Sequence, residues 1–138
     1  MSRSIMRMRR PLFLGLALAA LSAAPAPPPP PKPSPLAEAR YKAAVKQYEQ
    51  VWSYYRQDRV DSFMVYYWSR LVLESQQDLS DAKVDQIAAL QAHDDRLKKL
   101  EALIQRVRKL GFAYSSDVGA TTYYRLEADR WLEKAQAE

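Results

Sequence analysis

The sequence predicts an all-α fold: two antiparallel helical hairpins, four helices in all, forming a small bundle or an elongated coiled-coil-like module. Three observations point there. After Pro35 the chain has no proline, and its only glycines there are Gly111 and Gly119. Apolar side chains recur three and four apart at Tyr41, Val45, Tyr48, Trp52 and Tyr55, and Leu90, Leu97 and Ile104 recur seven apart with Leu100 and Val107 interleaved, the spacing of a helix with one buried stripe. The chain also matches itself at an offset of 53 residues: Ser62 falls on Ser115, Val65 on Val118, and Leu73-Glu74 on Leu126-Glu127.

The front of the chain is a different material. Residues 1–24 have the parts of a secretory signal: Arg3, Arg7, Arg9 and Arg10, an apolar core from Leu12 to Leu21, and the small residues Ser22, Ala23 and Ala24. That core is too short to span a bilayer, which takes about 20 apolar residues. A cut after Ala24 leaves an unfavourable Pro25 at the new terminus; Ala20-Leu21-Ser22 offers another site, and an uncleaved anchor or a disordered basic tail are the alternatives. Residues 25–35 hold eight prolines, a semi-rigid polyproline II spacer or stalk. Residues 36–138 are the helical domain, and export to the periplasm or beyond is expected.

The first helix runs from Leu36 to about Gln57 and is broken by Gln57-Asp58-Arg59-Val60. Asp61 or Ser62 caps the second, which reaches Gln77. A strand competes over Phe63 to Trp68 on β-propensity, but no partner strand exists elsewhere. A long third helix from Ser80 to Leu110 carries the stripe on which the rest is expected to pack. Asp78 and Asp81 suit its N-terminus, Arg108 and Lys109 its C-terminus, and Gly111 its left-handed cap. Ser115 caps the fourth helix, with Asp117 in its first turn and an inner face of Val118, Thr121, Tyr124, Ala128, Trp131 and Ala135.

The segment Arg108 to Val118, followed by Tyr124-Arg125-Leu126-Glu127, resembles the hairpin of TolC-type outer-membrane efflux proteins. The matching residues are Gly111, Ser115, Asp117, Val118 and Glu127; the first hairpin departs, with Asp58 in place of the glycine and Met64 in place of the acid. In that family such turns are periplasmic tips that meet an adaptor, so the resemblance implies an accessory of an envelope efflux or transport assembly. It does not imply a channel. Members are several times longer and build a barrel from strands, and no alternating segments of roughly ten residues occur here.

Composition excludes much chemistry. There is no cysteine, hence no disulfide or thiolate. The net charge of +5 belongs mostly to the leader: four of the 21 Lys and Arg lie there, leaving 17 against 16 Asp and Glu, no footprint for nucleic acid. His93 stands alone beside Asp94 and Asp95; neighbours on a helix point about 100° apart, and no second histidine completes a metal site, so a core or seam role is expected. Asp94 and Asp95 each precede a lysine by four residues, Lys98 and Lys99, reading as solvated helix pairs. Ser115-Ser116 beside Asp117 lacks a base and reads as a cap. No catalytic, cofactor or metal residues are assigned, and the chain is not expected to be an enzyme.

The compositional excess is aromatic: three Trp and nine Tyr. These fill a core, or core plus a sticky face. The expected function is a non-enzymatic exported interaction or structural module that self-associates or binds a helical protein, with no nucleic acid and no membrane span beyond an uncleaved signal. The candidate partner-binding residues are Tyr67 and Trp68 on the aromatic face and Gly111, Ser115, Asp117 and Val118 at the second turn.

Overall fold

A computed structural model describes residues 28–29, 31–112 and 115–138, with the side chains of residues 115 and 116 outside that description. The expected signal peptide, residues 1–24, lies outside the described residues. Four helices follow one another: α1 (Pro35–Tyr55), α2 (Ser62–Gln77), α3 (Lys83–Lys109) and α4 (Ser115–Ala137). No strand occurs among the described residues, so Phe63 to Trp68 is helical.

The helix ends follow local chemistry. Ser34 caps α1 by accepting from the Ala37 N–H at 3.1 Å, and Pro35 takes the first helical position, where a missing N–H costs nothing. The proline-rich stretch thus ends inside the fold, one residue short of the expected boundary. Asp61, rather than Ser62, caps α2 through the Met64 N–H. α3 starts at Lys83, three residues later than expected. Ser80 is held in a turn instead, its hydroxyl accepting from the Ala82 N–H and donating to Asp85 at 2.6 Å.

Side-chain pairs give the helix directions. Arg40, near the start of α1, pairs with Asp78 just past the end of α2. Gln86 of α3 reaches the Gln77 carbonyl, and Arg96 reaches Ser69, so α2 and α3 are antiparallel. Glu101 meets Thr122 and Arg125 while Lys98 meets Asp129, making α3 and α4 antiparallel. α2 and α4 run parallel, with Ser62 beside Asp117 and Tyr66 beside Tyr124. Both turns therefore lie at one end.

The core crosses all four helices: Val51, Val65, Tyr66, Leu97, Leu100 and Ala128 form one cluster, and Leu73, Ala89, Leu90 and Leu132 a second. α3 buries its expected stripe at Leu90, Leu97, Leu100 and Ile104. The central place, however, belongs to α2, which packs on all three other helices, broadly on α1 and α3 and more narrowly on α4. Its near-continuous apolar circumference is what three neighbours require.

α3 also buries more than one stripe. Asp94, expected to be solvated with Lys98, is fully buried, although Lys98 does reach it at 2.6 Å. Packed between α2 and α4, α3 hides a wide arc that includes both His93 and Asp94.

The 53-residue repeat is present in the backbone. In the first turn the Asp58 N–H donates to the Tyr55 carbonyl and the Arg59 N–H to Tyr54; in the second, Gly111 donates to Arg108 and Phe112 to Val107. Both are Schellman motifs closed by a left-handed residue, Asp58 at φ 57° and Gly111 at φ 82°. Asp58 thus fills the glycine position, as a short polar side chain tolerates that conformation.

Candidate functional site

One arc of α2 is left uncovered, and it carries Phe63, Tyr67, Arg70 and Glu74. α1 lies on one flank of this arc and α4 on the other, with α3 behind. Phe63 and Tyr67 are one turn apart, their rings stacked with centroids 6.2 Å apart, and they remain 51% and 44% exposed. Tyr123 of α4, 61% exposed, extends the patch. It is tied in through Glu127, which accepts hydrogen bonds from the hydroxyls of both Tyr66 and Tyr123.

Beneath this surface the aromatics are interlocked. Tyr66 stacks on Tyr124 at 4.1 Å with the planes 11° apart, locking the parallel α2–α4 pair. Burial, then the Glu127 hydrogen bond and charge, push the Tyr66 hydroxyl up to about 12. Trp68 turns the other way: it packs against the core, meets Tyr67 edge-on at 6.0 Å, and helps line a groove of about 370 Å³ with Ala43, Gln47 and Leu71. The two candidates Tyr67 and Trp68 therefore have different jobs.

His93 has the structural role expected of it, fully buried between Tyr66 and Trp131, whose ring stacks on it at 5.8 Å. Ser69 Oγ lies 2.9 Å from Nδ1 and accepts from Arg96 Nε at 2.8 Å, which suits a hydroxyl proton directed at the imidazole. Burial first, then the Arg96 and Arg70 charges, lower the His93 pKa to about 3, so the ring is neutral. Its Nε2 and Asp94 Oδ1 are buried without a partner among the described residues. Burial raises the Asp94 carboxyl. No three potential metal ligands cluster among the described residues.

At the tip, Gly111 is exposed and holds the left-handed turn. Ser115 opens α4, its side chain outside the described residues. Asp117 is half-buried and accepts from Ser62 at 3.2 Å, and Val118 is buried in the core. Of Gly111, Asp117 and Val118, only Gly111 lies fully open. Between the two turns is a hollow of about 590 Å³, lined among others by Tyr55, Asp58, Leu103, Val107, Phe112 and Asp117. Burial, then the Asp117 and Asp58 carboxylates, push the Tyr55 hydroxyl up to about 12, marking the convergence of both turns on it.

Sequence reasoning missed Phe63 and Tyr123 as surface residues, whereas Leu110 and Phe112 lie within segment 110–118, the contact expected on the efflux-like reading. The signal for Phe63 was available: it shares a helical face with Tyr67 and Arg70, four and seven positions on. No helix among the described residues is long and apolar enough to cross a membrane. No family model, curated protein or solved structure matches the chain.

Proposed function

We propose that this chain is a non-enzymatic, exported helical interaction module that binds itself or a helical partner through the Phe63–Tyr67–Tyr123 face. The observation that carries the reading is a stacked aromatic pair half in solvent on an arc of the central helix that no described helix covers. Large aromatics flanked by polar residues, here Arg70, Glu74 and Glu127, match the anchors and rim of protein interfaces. Light scattering coupled to size exclusion tests it, with wild type against Phe63→Ser/Tyr67→Ser. An assembly that dissociates in the variant while helicity persists supports the reading. A wild-type monomer that also retains no amphipathic helical peptide sinks it.

A second reading, an accessory of an envelope efflux or transport assembly, draws on the TolC-like hairpin and on the left-handed turn at Gly111. Its contact would lie at the tip, so substituting the tip would abolish partner binding while the Phe63–Tyr67 variant would leave it untouched.

A further inference from the structure

The end that holds both turns is basic. Arg106, Arg108 and Lys109 occupy the last turn of α3, all exposed, and Arg56 and Arg59 add cations from the first turn. Among the described residues none of these five belongs to an ion pair. The acids nearby are Asp58, Asp61 and Asp117, of which Asp61 caps α2 and Asp117 accepts from Ser62. The far end carries no such excess: Glu38, Asp78, Asp81, Asp85, Glu133 and Glu138 stand against Lys32, Arg40, Lys42, Lys83, Arg130 and Lys134, several of them joined in ion pairs.

Cations at a helix C-terminus complement its dipole, which accounts for part of the pattern. The dipole does not account for Leu110 and Phe112. They flank Gly111 at the extremity of the second hairpin, 66% and 79% exposed. Two large apolar side chains beside a collar of unpaired cations form an amphipathic tip.

We propose that this tip docks on an anionic lipid surface, with Leu110 and Phe112 entering the boundary between headgroups and acyl chains and the basic collar facing lipid phosphates. Charge complementarity selects the occupant, since the basic end would turn toward an anionic bilayer and the balanced end has no such attraction. A nucleic acid would satisfy the cations but offer nothing to Leu110, which neither stacks on bases nor hydrogen-bonds to them. The surface is separate from the Phe63–Tyr67 face, so either can stand without the other.

The absence of cysteine allows a local test in the full chain. An environment-sensitive fluorophore is attached to Leu110→Cys, and in a second protein to Asp81→Cys at the far end. The leader joins α1 at the end that carries Asp81, so lipid binding by the leader would be read by the label at 81 rather than at 110. Vesicles of phosphatidylcholine with phosphatidylglycerol are expected to brighten and blue-shift the label at 110, while pure phosphatidylcholine leaves it unchanged and the label at 81 stays in water. Arg106→Gln/Arg108→Gln/Lys109→Gln should weaken the response roughly 100-fold, about fivefold per charge. Phe112→Ser should weaken it roughly tenfold or more. These side chains are exposed, so circular dichroism should stay unchanged. A silent label on anionic vesicles, an equal response on neutral ones, indifference to the triple substitution, or a response to an oligonucleotide in place of lipid would each overturn the proposal.

Discussion

Acidification should destabilise this protein through His93, the only histidine in the chain. In the unfolded chain an imidazole takes up a proton near its ordinary value of 6.5; in the fold, burial and the nearby guanidinium groups hold His93 down to about 3. The unfolded state therefore binds the proton first. The His93 contribution is fully present above about pH 6.5 and is lost at about 1.4 kcal/mol per pH unit as pH falls toward 3. Between about pH 7.5 and about pH 5 the loss comes to about 2 kcal/mol, a large part of the stability of a small domain. Asp94, with its raised carboxyl, works in the opposite sense, and Asp129, held low beside Lys98, in the same sense as His93. A comparison with His93→Gln isolates the imidazole. The assay is urea unfolding followed by tryptophan fluorescence at several pH values, with proton NMR of the single histidine ring. The variant should be flatter than wild type by about 2 kcal/mol over that interval. Parallel profiles, or a native imidazole titrating near 6.5, would refute the buried, neutral assignment.

The glycines should respond oppositely. Gly111→Val forces a branched residue into the left-handed region and should cost about 1–2 kcal/mol. Gly119→Ala places a methyl where no heavy atom lies within 4 Å and should stabilise α4 by roughly 0.5–1 kcal/mol, both read by thermal or urea unfolding. Tyr67→Ser should leave stability within about 1 kcal/mol, whereas Trp68→Ala should cost about 2 kcal/mol or more, since only Trp68 packs on the core. Equal losses would show that the two rings share one environment. Asp61→Ala removes the α2 cap and should cost about 1 kcal/mol by urea unfolding, whereas Asp61→Asn, which can still accept from the Met64 N–H, should cost only a few tenths.

Periodicity and punctuation carried most of the architecture. The absence of proline after Pro35, the 3–4 stripes and the 53-residue offset sufficed for four helices in two hairpins, because these signals act within a few turns of the chain. The start of α2 was legible to the residue, since Asp61 stands where a cap belongs. The start of α3 was not: Ser80 can cap a helix or close a turn, and Asp85 and Gln86 tip it toward the turn. Sequence alone also made His93 a structural residue, since no second histidine is present to complete a metal site.

What tertiary structure decided was which side of each helix has how many neighbours. A helical wheel shows an apolar face but not whether one helix or three will cover it. That is why α2, not the longer α3, became the centre, why Asp94 was drawn inside while Lys98 remained at the surface, and why Tyr67 was left open beside a packed Trp68. The same ambiguity hid the tip. Leu110 and Phe112 look like ordinary helix-end hydrophobics until both turns are found at one end, which also carries five cations. Local propensity depends on neighbours in sequence; burial depends on neighbours in space, and only the assembled fold supplies those.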